Sequence, residues 1–253
     1  MHQWLPWAIG TVAFLYAAVG HAGATGYVAV MALAGVAPAG IRPTALALNV
    51  VVAFIGTVQF TRAGHQRVGV LLPLAVASAP CAWLGGGIAL PTAWLEGVLG
   101  AVLAVSAVCQ WRQAAVTDGA TPPAVGVPRR AGPARLIGLG AVIGLLSGIT
   151  GVGGGIFLTP ALLALRIAPL KTVAAVTAPF ILLNSLAGLA GGGAPTVEEI
   201  DPGVVTAAVI GGMLGSQAGA FQLPGRALRR LLAFVLGIAS VKMVGACLAA
   251  LSR

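Results

Sequence analysis

Apolar residues run along this chain in long blocks separated by short polar breaks. Ten blocks stand out, at about 4–20, 23–37, 43–60, 68–90, 92–110, 135–150, 152–165, 171–191, 203–222 and 229–250. A hydrocarbon layer of about 30 Å takes around 20 helical residues to cross, so these blocks predict membrane helices. The pairs 4–20/23–37 and 135–150/152–165 are shorter. Helices of about 15–17 residues reach only about 22–25 Å at 1.5 Å per residue, so each pair reads as a broken or re-entrant helix.

The longest polar stretch, residues 111–134, holds Arg112, Asp118, Pro122, Pro123, Pro128, Arg129, Arg130 and Pro133. That is linker composition. It divides the chain into a first transmembrane repeat (1–110), a linker (111–134) and a second transmembrane repeat (135–253). The halves share an order of features. The run Gly20-His21-Ala22-Gly23-Ala24-Thr25-Gly26 precedes Gly148-Ile149-Thr150-Gly151-Val152-Gly153-Gly154 by 128 residues. Each run lies between two short apolar blocks. Each pair is followed by a proline (Pro38, Pro169), a basic residue (Arg42, Lys171) and a longer block, and Leu90-Pro91 matches Leu223-Pro224. An internal duplication explains this order.

Composition narrows the class. Of 253 residues 58% are hydrophobic and only 8% charged, with a mean hydropathy of +1.01. Average soluble domains are roughly a quarter charged, so a soluble enzyme, a nucleic-acid binder and a disordered chain are poor fits. Cys81, Cys109 and Cys247 have no C-x-x-C spacing and read as packing residues. Met1 to Trp7 lack the basic start of a secretory signal, so the first block reads as a retained membrane segment.

The net charge of +9 carries orientation. Counted with five segments per half, Arg62, Arg67, Arg112, Arg129, Arg130, Arg135, Arg166, Lys171, Arg226, Arg229 and Arg230 fall on one side. Arg42, Arg253 and the acidic loop Glu198, Glu199, Asp201 fall on the other, and Lys242 lies inside the last block. The positive-inside rule puts the eleven charges and the linker in the cytoplasm and both termini in the periplasm. An eight-helix count scatters the charges across both faces. The expected fold is therefore an all-α polytopic membrane protein. It has two inverted-topology repeats, each a broken or re-entrant helix pair plus three spanning helices, or 8–10 membrane segments in all.

The densest motif is Ser147-Gly148-Ile149-Thr150-Gly151-Val152-Gly153-Gly154-Gly155. Four glycines in five residues interrupt a helix. Backbone freed inside a membrane must find partners or line a wet cavity. The N–H groups of Gly151, Gly153, Gly154 and Gly155, with the helix start beyond them, form a nest suited to an anion. The first-half break, with His21, Gly23, Thr25 and Gly26, enters from the opposite face, and the two tips are expected to meet near the midplane. Glycines at Gly85–Gly87, Gly211, Gly215 and Gly219 read instead as close-packing positions.

The string from Ser147 to Pro160, with Pro169, Lys171 and Ala174, resembles the signature of the sulfite exporter family of TauE/SafE type, also called the toluene-sulfonate uptake permease family. The resemblance covers nearly the whole chain. The first-half run departs from the usual glycine-rich form at His21, Ala22, Ala24 and Thr25. The resemblance implies a bacterial inner-membrane carrier of small sulfur-containing or carboxylate anions such as sulfite, sulfonates or sulfoacetate.

Polar groups inside apolar blocks complete the substrate-binding candidates. They are His21, Thr25, Thr150, Asn49 and Asn184, with Gln59, Ser216 and Gln217 weaker. His21 offers an anion contact or a proton site. Thr25 and Thr150 offer hydroxyls at the tips, and the two asparagines are either substrate contacts or interhelical glue. Trp4, Trp7, Trp94 and Trp111 read as interface anchors. Glu96 is the one carboxylate inside a block, near its start, so carboxylate-based coupling has little support, and no cofactor or metal is expected. The partners expected are a small anion and the lipid bilayer, with no nucleic acid, and a homodimer is left open. Three alternatives compete with a carrier: a passive anion channel, an intramembrane protease using Ser147 and His21, and an assembly role.

Overall fold

The computed structural model describes residues 3–36, 38–88, 132–192 and 201–251, with helical positions at 100, 104, 107, 108, 111 and 112. Among the described residues all regular structure is helical. The helices are α1 (Leu5–Ala18), α2 (Ala24–Leu33), α3 (Pro38–Arg62), α4 (Val68–Gly86), α5 (Pro133–Thr150), α6 (Gly155–Ala164), α7 (Leu170–Gly192), α8 (Pro202–Gln217) and α9 (Gly225–Leu251). A π-helical turn, Ala218–Gln222, extends α8. Six helices among these are long and apolar enough to cross a membrane. The chain is a multi-pass, all-helical membrane protein. The boundaries lie within a few residues of the apolar blocks. Most of the block at 92–110 and of the linker, with Glu96, Trp94 and Cys109, lies outside the described residues.

Helix ends follow local chemistry. Gly20 adopts φ +79°, and the His21 N–H reaches back to the Tyr16 carbonyl at 2.9 Å. That closes α1 as a left-handed glycine cap, a conformation other residues adopt at a cost of about 1–2 kcal/mol. Asp201 caps α8 by accepting from the Gly203 N–H at 2.8 Å.

The solvent outside the fold is apolar and the interior holds the polar groups. Leu72, Val76, Val142, Ile210 and Val241 are exposed. His21, Thr25, Asn49, Ser78, Ser147, Thr159, Thr177, Asn184 and Ser185 are buried. Lipid tails provide no hydrophobic drive between helices, so association rests on close approach of small residues. Two glycine ladders supply it. On α5, Gly140, Gly144 and Gly148 press against the carbonyls of Leu74, Ser78 and Ala82 of α4. On α8, Gly211, Gly215 and Gly219 press against those of Gly10, Phe14 and Ala18 of α1.

The ladders also give directions. Contacts advance by four residues in the same sense on both partners, so α4 runs parallel to α5 and α1 parallel to α8. The α3–α7 contacts run the other way. Leu46 meets Gly188, Asn49 meets Ser185 and Gly56 meets Ala178, so these helices are antiparallel. Helix α2 folds back on α1, with Gly26 against Val12 and Tyr16. Helix α6 lies antiparallel to α7, through Gly155 on Ile181 and Thr159 on Thr177.

Candidate functional site

The two helix breaks meet. Gly20 lies on the Ala174 backbone so closely that an added Cβ would come within 2.6 Å of it. His21 Nε2 is 3.0 Å from the Gly155 carbonyl and 2.9 Å from Thr159 Oγ1. Thr159 in turn is 3.1 Å from Thr177 Oγ1. A line of hydrogen bonds therefore joins the first-half tip to α6 and α7. The ring's other nitrogen, Nδ1, is buried without a partner.

A small cavity opens at this junction. It is lined by Tyr16, His21, Gly23, Thr25, Val152, Gly155, Ile156 and Ile181 among others, with a volume of about 10 Å³. That is room for about one water molecule. Thr25 does not offer its proton to the cavity, since its hydroxyl donates to Tyr16 Oη at 3.0 Å. Gly23 stands in the left-handed region at φ +106° against the Tyr27 ring.

Ile181 touches Gly155 on one side and Gly153 on the other. Beyond it, Gly153 sits against the Asn49 amide and Ser185, and an added Cβ would lie 2.6 Å from Asn49 Nδ2. Gly153 and Gly154 have φ of +75° and +78°. Among the described residues, the N–H groups of Gly153, Gly154, Gly155 and Ile156 have no hydrogen-bond partner. These are the first orphan donors of α6 plus those of the loop before it. Buried acceptors and donors nearby are also unmet: Asn49 Oδ1, Ser147 Oγ and both polar atoms of Asn184. Asn184 lies one turn beyond Phe180, which packs on Gly154.

Other candidates sit apart. Thr150 Oγ1 donates to the Leu146 carbonyl at 2.7 Å, one turn back in its own helix. Gly26 serves the α1–α2 contact. The hydroxyl of Ser216 is directed to Gly212 of its own helix, and Gln59 Nε2 donates to the Met213 carbonyl. Ser147 and His21 form no nucleophile–base pair, because Ser147 Oγ has no partner and His21 Nε2 faces Gly155 and Thr159.

Two cations reach the tips that the loop-by-loop charge count set aside or assigned to a loop. Arg42 belongs to the first turns of α3. Its side chain lies against Gly151, and Nη2 donates to the carbonyls of Gly86 and Gly148. The guanidinium thus sits among the C-terminal ends of α4, α5 and α7, where helix dipoles favour a positive charge. Lys242 of α9 donates to the Thr25 carbonyl at 3.1 Å. The available signal was general: a cation inside an apolar block is expensive unless it serves the interior. No metal-binding group of three or more His, Cys, Asp or Glu residues exists among the described residues.

Comparison with known proteins agrees with this architecture. The sulfite exporter TauE/SafE family matches residues 7–243. A probable membrane transporter protein, y4hK, of Sinorhizobium fredii (strain NBRC 101917 / NGR234) is 39% identical over 245 residues, covering 94% of this chain and 96% of that protein. No solved structure matches the chain at a significant level. The match spans both halves, the glycine tips and the helices that hold them, and the chain is a membrane transporter, not an enzyme, belonging to the sulfite exporter TauE/SafE family.

Proposed function

We propose that this protein exports small sulfur-containing or organic anions, such as sulfite, sulfonates or sulfoacetate, across a bacterial inner membrane. Alternating access exposes one midplane site to each face in turn. The observation that carries this reading is the set of unpaired N–H groups at Gly153–Ile156, buried where the two breaks meet. Fixed N–H dipoles hold an anion without a carboxylate or metal. Arg42 and Lys242 add positive potential at the two tips. His21, Gly23 and Gly155 contribute from one side of Ile181, and Asn49, Gly153, Gly154 and Asn184 from the other; contrary to the sequence expectation, Gly151 adds no free donor, because its N–H closes the preceding helix on the Ser147 carbonyl at 2.9 Å.

The inverted repeat is part of the proposal. An antiparallel α3 and α7 requires an odd number of reversals between them. With one crossing in the block at 92–110, that number is odd only when α5 and α6 reverse as a hairpin. A helix of ten residues rises about 15 Å, half the hydrocarbon thickness, so α2 and α6 re-enter rather than cross. The five-segment halves then have opposite topology, with the linker cytoplasmic and both termini periplasmic. The one-water cavity marks a closed state, and substrate requires the tips and Ile181 to move apart. A negative interior favours exit by about 2.3 kcal/mol per charge per 100 mV.

The test is sulfite flux in proteoliposomes. Saturable flux with counterflow is expected; large unsaturated currents would assign a channel, and no flux of any small oxyanion would end the reading. Gly153→Ala should abolish sulfite-induced thermal stabilisation, because the new methyl displaces the Asn49 amide and strains a φ of +75°. Undiminished stabilisation would remove the glycine tip from the site.

A further inference from the structure

We infer that His21 moves a proton together with each anion, taken on at Nδ1. This rests on the transport reading above and names the coupling at that same site. A carbonyl oxygen only accepts, so the 3.0 Å contact with Gly155 requires the hydrogen on Nε2. The same N–H is shared with Thr159 Oγ1 at 2.9 Å, and the Thr159 hydroxyl is left to donate to Thr177. One tautomer satisfies the whole line. It leaves Nδ1 of the neutral ring as a bare lone pair, and His21 is 4% exposed. That lone pair has no partner in a ring that lines a cavity the size of one water.

A bare lone pair repels an oxyanion and attracts an acidic hydrogen. An anion is therefore admitted in one of two equivalent forms. It carries its own proton, as hydrogen sulfite does, and shares it with Nδ1, or a solvent proton reaches Nδ1 first and the imidazolium meets the anion. In both, one N–H bond forms at Nδ1 as an O–H bond of hydrogen sulfite or of a hydronium ion breaks, and on the far side the N–H bond breaks as the proton returns to the departing anion or to water. The ring ends neutral, no electrons are exchanged, and one proton travels in the same direction as each anion.

The surroundings suit this role. The Tyr16 ring of α1 lies 6.4 Å from that of His21 between centroids. Tyr27 of α2 lies behind Gly23, and Lys242 of α9 is held on the Thr25 carbonyl. Helix α6 presents the Gly155 carbonyl and Thr159 to the ring, and Thr177 of α7 backs Thr159. No carboxylate contact to the ring occurs among the described residues, so nothing there holds the imidazolium charged once the anion has gone.

The experiment uses the full chain in proteoliposomes with a sulfite gradient, a lumenal pH dye and the potential clamped by potassium and valinomycin. Proton movement in the direction of sulfite is expected. His21→Gln keeps an amide N–H for Gly155 but offers no basic lone pair; the proton moved with each sulfite should be lost. Because this variant could misfold, a second readout uses wild-type protein labelled with ¹⁵N-histidine. Saturating sulfite should carry one imidazole nitrogen resonance from the unprotonated to the protonated range. Saturable sulfite flux with no proton movement, or an unchanged resonance at saturation, overturns the inference and leaves the transport reading standing. Absence of any sulfite flux overturns the reading itself.

Discussion

At the scale of single residues, the site is decided by hydrogen-bond accounting. Buried polar groups are normally paired, and those that are not mark places built for something else. Here His21 Nδ1, Asn49 Oδ1, Ser147 Oγ and the Asn184 amide are unpaired around the helix breaks, while Gln66 Oε1 and Ser78 Oγ are unpaired elsewhere. Arg42 shows the opposite case, a charge whose Nη2 is bonded to the carbonyls of Gly86 and Gly148. Arg42→Gln should lower stability by about 2 kcal/mol, the usual worth of charged hydrogen bonds left unmade. Arg42→Lys should recover only part of it, since both bonds come from the terminal Nη2 of the arginine, and the lysine ammonium sits on a shorter side chain. Thermal unfolding in detergent measures both, and an Arg42→Gln variant as stable as the parent would show that the guanidinium contributes no net anchoring. The asparagines, His21 and the glycine tips were legible as polar or flexible positions in apolar blocks. What each faces was not, because hydropathy carries no partner information. Thr150 illustrates this: a hydroxyl at the tip by position, yet bonded to its own helix.

Among elements, the two glycine ladders do the work that apolar stripes do in water. Gly144 of α5 sits on the Ser78 carbonyl with no space for a Cβ. Gly144→Leu should separate α4 from α5 and abolish folded expression. Gly138, on the same helix, has nothing within 4 Å of an added Cβ. Gly138→Ala should be neutral or stabilising by up to about 1 kcal/mol, because alanine replaces a flexible glycine in a helix. Size-exclusion profiles of the two variants make the comparison; equal behaviour would remove the ladder as the organising contact. Among the described residues helix positions were readable from the apolar blocks, because lipid imposes length and hydropathy on each span. The pairing of α1 with α8 and of α4 with α5 was not, since both pairs join parallel helices distant in sequence or separated by the linker. The small-xxx-small spacing at Gly211, Gly215 and Gly219 flagged a contact without naming its partner.

On the scale of the whole molecule, the prediction concerns sidedness. Single cysteines introduced at Gly64 and Arg166 in a variant free of native cysteines should react from the cytoplasmic face. A cysteine at Asp201 should react from the periplasmic face. A membrane-impermeant maleimide on intact and opened cells reads the difference. Labelling of Gly64 and Arg166 from opposite faces would contradict re-entrant tips, because an odd number of crossings would then separate them.

Length, hydropathy and charge placement were enough to determine a multi-pass helical membrane protein with a duplicated order of features and two glycine breaks. Each of these is a property of local chain composition against a hydrocarbon solvent. The tertiary structure alone decided through which atoms the breaks touch, and that Ile181 stands between the His21 cavity and the Asn49–Gly153 contact. It also decided that Arg42 and Lys242 reach the tips from distant helices. Those facts depend on which backbones approach within van der Waals distance. In a chain whose helix faces are nearly all apolar, that choice is made by shape and by a few buried hydrogen bonds rather than by any pattern along the sequence.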